Sequence, residues 1–192
     1  MPRARRGTAV MAAHSAEAPP IRLRRRFWRN KRGSAAVEFG LIALPFFGLI
    51  AAMLETGILM LADSALDQAT NNAARLIRTG QAQQQGFDQA AFRDQVCSKV
   101  STFFDCSKLK IDVRTASNFT AMNTATPVKA DGTLDDGAFG YSAGHGRDVV
   151  VVRVYYDYPI VLNRLATFGA GSDGKTKRLA AVAAFRNEPF NW

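Results

Sequence analysis

Soft metal ligands are scarce in this chain: two cysteines and two histidines in 192 residues are too few for the usual zinc sets. His145, between Gly144 and Gly146, has no Cys or His near it and reads as a loop histidine. Nucleophile elbow, P-loop and metalloprotease signatures are all missing, which removes the motif-bearing hydrolases and nucleotide enzymes. Asp131, Asp135 and Asp136, set around Gly132 and Gly137, lack the one-three-five ligand spacing and terminal Glu of a calcium loop, so they read as a solvated turn. No internal repeat is visible. These absences lead us to expect no metal, no cofactor and no catalysis. An exported enzyme with a motif-free site is the alternative they leave.

Acids are scarce in one place. Residues 1–33 hold ten basic side chains and a single acid, Glu17, while the rest of the chain carries fifteen basic and fifteen acidic groups. The net charge of +9 is therefore a property of the leader. Nucleic-acid binding needs a basic face on a folded module, and no such module stands behind this run, so no nucleic-acid partner is expected. Residues 1–20, with Pro2, Pro19 and Pro20, have too little apolar content to fold and are expected to be disordered.

Charge then disappears altogether. Residues 39–54 carry none, and apart from Glu55, Thr56 and the glycines the apolar character continues to Ala62. About 20 apolar residues cross a bilayer, so the segment is long enough with some tilt. A secretory signal peptide has a shorter apolar region, about 7–15 residues, and ends in a small-x-small cleavage site. This stretch runs on into a helical pattern instead. The run Arg24-Arg25-Arg26-Phe27 loosely resembles a twin-arginine signal. The basic leader orients a single-pass protein with its N-terminus in the cytoplasm and everything after Ala62 outside.

The coarse organisation is α+β, a long helix followed by a small exported domain with an antiparallel sheet. Residues 34–80 predict one helix, stopped by Gly80. Beyond the apolar half, Ala62, Leu66, Ala69, Ala73 and Leu76 form a narrow seam at coiled-coil-like spacing, available to a neighbour. Pro45 is expected to kink or loosen the first half. Residues 81–192 form the exported domain. After a Gln-rich link, Asp88 caps a second helix with Phe92, Val96, Val100 and Phe103 on one face. Leu109, Ile111 and Val113 alternate with Lys110, Asp112 and Arg114, a strand with one wet face. Residues 115–147 read as a long loop with at most a weak strand. The clearest strand is 149–158, with Tyr155, Tyr156 and Tyr158 as sheet and contact surface, and Pro159 ends it. A short helical piece around 160–168, a turn at 169–174 and a last strand at 179–186 follow. Cys97 and Cys106 in an oxidising compartment are most simply a disulfide. Two buried free thiols are the alternative, and the spacing excludes a Cys-x-x-Cys redox site.

Two acids stand in apolar text. Glu55 is expected at the outer membrane interface. Glu38 lies just inside the apolar run, where a carboxylate costs roughly several kcal/mol unless it is paired or near the interface.

The junction Arg32-Gly33-Ser34-Ala35-Ala36-Val37-Glu38-Phe39 resembles the processing site of type IV prepilins, in the form used by tight-adherence (Flp) pili. With Leu44-Pro45, Glu55, Ala73-Ala74-Arg75, the Cys97/Cys106 pair and the closing Phe185-Arg186-Asn187-Glu188-Pro189-Phe190, the chain is similar to the TadE-like pseudopilins of that system. The resemblance covers most of residues 32–190 and is densest at 32–80. It implies a pilin-like fold, and cleavage between Gly33 and Ser34 by a prepilin peptidase at the cytoplasmic face of a bacterial inner membrane. It also implies that Glu38 serves as the assembly acid. The implied role is a minor pseudopilin, anchored in membrane lipid until uptake into the pilus. The implied partners are the major Flp pilin, other pseudopilins and the inner-membrane assembly platform. From the residues themselves, Glu38 could pair with the new α-ammonium of Ser34 or a neighbour's, or snorkel to the interface of an uncleaved anchor. An uncleaved, membrane-tethered periplasmic binding or scaffold protein is thus the alternative function.

Overall fold

A computed structural model of the chain describes residues 34–122, 125–162 and 175–191. The leader, most of the helical piece expected at 160–168 and the turn expected at 169–174 lie outside them. Contacts divide the chain into two compact units, one ending at Phe46 and one beginning at Phe47.

Helix α1 is Ser34–Arg78, built from alanine, leucine and other good helix formers, with Pro45 inside it. Its character changes at Ala62. From Val37 to Leu61 the large apolar side chains other than Leu59 are exposed, whereas Ala62, Leu66, Ala69, Thr70, Ala73, Ala74 and Ile77 are buried. The expected seam is therefore real but too narrowly drawn. Thr70, Ala74 and Ile77 widen it, Leu76 is only half-buried, and the stripe packs inside its own unit instead of waiting for a neighbour. The physical reason is a supply of apolar surface nearer at hand. The following helix and the sheet offer Phe92, Val96, Val100, Ile111, Val113 and Val152 to the same core.

Gly80 ends the helical run with φ +80°, the left-handed conformation suited to glycine. The expected Gln-rich link forms a short helix α2, Gln81–Gln84. Helix α3, Gln89–Val100, is capped by Asp88, whose Oδ1 accepts from Ala91 N at 2.7 Å. Phe92, Val96 and Val100 are fully buried along one face, each stabilising the fold by about 1.5–3 kcal/mol. Phe103 does not join them. The helix stops at Val100, the chain turns, and Phe104 enters the core while Phe103 stays 44% exposed.

Strands β1 (Lys110–Ala116), β2 (Val149–Pro159) and β3 (Thr176–Arg186) form an antiparallel sheet in the order β1-β2-β3. The register places Ile111 opposite Val154, Val113 opposite Val152 and Ala181 opposite Val154, so these residues share the face that meets the helices. Strand β2 is buried on both faces from Val149 to Tyr156, which explains its nearly unbroken apolar text. The expected wet face of β1 is wrong at Asp112, which is completely buried. The cause is the β1–β2 connection. It returns across that face, stacks Phe139 on Tyr155, and pairs its backbone with Val113 through Val113 N to Gly140 O (2.8 Å) and Ser142 N to Val113 O (2.9 Å). Within the long loop, Val128 also bridges Leu134.

The C-terminal tail returns to the end of α1. Glu188 N donates to Arg78 O at 2.9 Å, satisfying one of the carbonyls that a helix terminus leaves open. Asn187 is buried and its Nδ2 donates to the carbonyls of Ala143 (3.0 Å) and His145 (2.9 Å). Phe190 lies on Gly80, where an added Cβ would fall 2.7 Å from its ring.

Candidate functional site

The first half of α1 offers a surface that water would not accept. Phe39, Leu41, Ile42 and Leu44 are each about 70% exposed or more, and the most apolar 18-residue window has mean hydropathy 2.1 with none of it buried. It is the one described helix long and apolar enough to cross a membrane. A continuous exposed apolar face of this kind calls for lipid or partner helices. Ser34 is the first residue of α1, and exposed Glu38 follows four residues, about one turn, later. Gly33, on the other side of the expected cleavage, lies outside the described residues.

Glu55, farther along α1, is half-buried and accepts hydrogen bonds from two backbone amides. Leu162 N donates to its Oε2 at 3.0 Å and Oε1 at 3.2 Å, and Val161 N donates to Oε1. Sequence reading placed Glu55 at an interface but had no means of finding these donors, more than a hundred residues away.

Cys97 and Cys106 form a disulfide with Cα atoms 5.6 Å apart. It ties α3 to the 3-10 turn Cys106–Lys108 that leads into β1. Asp112 is the centre of a buried network. Its Oδ1 accepts from Arg114 Nε at 2.9 Å and Gly140 N at 3.0 Å, and its Oδ2 accepts from Arg153 Nε at 3.1 Å and from Arg153 Nη2. Burial pushes this carboxyl up, but the hydrogen bonds from Arg114, Gly140 and Arg153, with the arginine charge, outweigh it and hold the group below its ordinary value. A carboxylate locked in this way is a structural ion pair with no free lone-pair direction for chemistry. The remaining candidates are also engaged locally. Asp131 accepts from Thr133 N and Oγ1 in a turn, and the His145 ring is 94% exposed beside Asp148. Among the described residues no three His, Cys, Asp or Glu side chains gather as a metal set.

Residues 33–75 match the family model of TadE-like proteins. The matched stretch begins at Gly33, contains Glu38 and Glu55, and ends near the C-terminus of α1. No curated protein and no solved structure matches the chain. The TadE-like portion is thus the helix and its junction, with the sheet and the disulfide-bearing helix outside it. Within it, the residues singled out by sequence reading are Gly33, Ser34 and Glu38. The structure adds the Glu55 contact and a change of environment at Ala62 that separates the exposed half of the helix from the packed half.

Proposed function

We propose that this protein is a minor TadE-like pseudopilin that contributes to the assembly of a tight-adherence pilus. The observation that carries the reading is the TadE-like match over a helix whose N-terminal half is apolar and exposed while its C-terminal half packs on a small antiparallel sheet. That division of labour is what a pilin-like subunit needs. One half of the helix stays soluble in lipid or in a bundle of like helices, and the other half fixes a folded head.

In this reading a prepilin peptidase cuts between Gly33 and Ser34 and removes the basic leader. The exposed apolar face holds the subunit in the inner membrane, leader side in, with residues 81–192 in the periplasm. Glu38 then sits one turn from the new α-ammonium. In lipid its carboxylate reaches headgroup water; inside a bundle it needs a cation, and a neighbour's amine is the nearest chemistry to supply one. The major Flp pilin, other pseudopilins and the assembly platform are the proposed partners. The oxidised Cys97–Cys106 pair supports an exported domain.

The deciding experiment is mass spectrometry of the protein from its own host membranes, with Gly33→Val beside it. The expected result is a mature chain beginning at Ser34, and a Gly33→Val precursor about 3–4 kDa heavier at roughly 110 Da per residue. Only full-length chain in a strain that holds the peptidase would replace this reading with an uncleaved membrane-tethered scaffold.

A further inference from the structure

We infer that the loop at 159–162 is a second membrane contact of this protein, docked on the lipid surface and held there by the Glu55 carboxylate. The inference rests on α1 as a membrane anchor and does not depend on the pilus reading.

The starting point is the exposure of the loop. Pro159 closes β2, Ile160 is buried and its N–H donates to Lys175 O at 2.9 Å, and the chain then presents Val161 with 86% of its surface exposed. On the helix opposite, Leu54 (64%) and Ile58 (49%) are exposed as well. Between them lies an open groove of about 470 Å³, lined by Ala51, Leu54, Ile58, Pro159 and Val161, with Glu55 in its wall. Its lining is almost wholly apolar. The same helix face continues as the exposed apolar surface that needs lipid, so the groove and Val161 extend an interface already required by α1.

Position along the helix agrees. The uncharged stretch 39–54 ends immediately before Glu55 and measures about 24 Å at ~1.5 Å per residue, most of the roughly 30 Å of a hydrocarbon core. Glu55 therefore falls toward the outer edge of the core, where the anchor approaches the headgroups.

Hydrogen bonding explains how a loop can rest there. Backbone N–H groups without partners are costly to bring toward hydrocarbon, and loops are ordinarily kept out for this reason. Here the amides of Val161 and Leu162 both donate to Glu55. The same bonds solve the complementary problem of a carboxylate in an apolar helix. Each group supplies what the other lacks, so Val161 can point into the interface while its backbone remains satisfied. The consequence is a head whose height and tilt on the membrane are set at two points.

The test uses the full-length chain in phosphatidylcholine–phosphatidylglycerol vesicles, with Cys97 and Cys106 left oxidised. Val161→Cys carries an environment-sensitive NBD label, and Ser101→Cys, an exposed position on the head, carries the same label as reference. We expect blue-shifted emission at 161 and several-fold stronger quenching by headgroup-region spin-labelled lipid than at 101. Water-like emission at 161 equal to that at 101 overturns the inference, and this measurement needs no change at Glu55. In the Glu55→Ala background, with the disulfide intact as a fold control, lipid quenching at 161 should be lost; unchanged quenching removes Glu55 from the mechanism. N-terminal trimming is read separately. A trimmed protein with a water-exposed 161 ends this inference alone, and an untrimmed protein with a lipid-exposed 161 ends the pilus reading alone.

Discussion

Asp112 and Arg153 face each other across β1 and β2 at paired register positions, both buried, with the carboxylate taking two bonds from one guanidinium. This fork geometry favours arginine, and a lysine at 153 could not reproduce it. The pair lies on the sheet face opposite the main core, where the β1–β2 connection covers it. It fixes register there, because a one-residue slip of β1 would set Ile111 or Val113 against Arg153 and turn Asp112 into the apolar core.

Asp112→Ala should lower stability by about 3–5 kcal/mol, because it strands the Arg153 charge in a covered site. The double variant Asp112→Leu with Arg153→Met should recover a good part of that loss. Thermal or denaturant unfolding of the full chain in detergent checks both, and a single variant within error of the parent would show that the site floods with water.

The same pair gives a pH dependence of definite sign. The Asp112 carboxyl ordinarily titrates near 3.8 and is held lower in the folded protein. Its contribution is fully present above the ordinary value and is lost as pH falls toward and through the folded one. Stability attributable to this group should therefore be flat from neutral to mildly acidic pH and decline below about pH 4. Asp112→Asn should have a shallower acid limb than the parent, measured as melting temperature against pH.

The disulfide closes a loop of about ten residues, and its loss should cost about 2–3 kcal/mol. Cys97→Ser with Cys106→Ser should melt several degrees lower than the parent, with the parent under reducing conditions falling to the same value. Thiol labelling of denatured, unreduced native protein should find no reactive cysteine; two would place the pair in a reducing compartment and withdraw one support for export.

Gly80 and Phe190 should behave as a coupled pair. Gly80→Ala introduces both a left-handed alanine and a Cβ within 2.7 Å of the Phe190 ring, and should cost about 1–3 kcal/mol. Adding Phe190→Ala removes the clash but not the backbone strain, so the double variant should lose less than the two single losses combined. Simple additivity in a double-mutant cycle would mean the tail does not rest on this turn in solution.

Glu38 should matter to assembly and not to the fold of the head, since it precedes Phe47, where the second unit begins. Glu38→Ala and Glu38→Gln should keep near-normal level and N-terminal processing but lose co-purification with other pilus components, because neither retains the charge. Normal partner capture and piliation in both variants would reduce Glu38 to an interfacial anchor.

Local features were open to direct reading wherever one residue type and its near neighbours decide the outcome. The apolar run from Phe39 toward Ala62 defines a membrane-length helix by composition. Asp88 caps α3, Pro159 closes β2 and Gly80 stops the helical run, each through its own backbone or side-chain chemistry. Periodicity located the seam at Ala62, Leu66, Ala69 and Ala73, since a 3.6-residue repeat needs no partner to be visible. What covers a surface is a different kind of question. Whether Asp112 meets water depends on a loop that returns about thirty residues later, and alternation along β1 carries no trace of it. Ala74 and Ile77 are buried because α1 shares one core with α3 and the sheet, a broader partner than a single coiled-coil helix. Glu55 finds the amides of Val161 and Leu162 only after β2 has carried the chain back to the helix. Local sequence sets each element's preference, but burial and long-range hydrogen bonds belong to pairs of elements, and only the folded chain decides which surfaces meet.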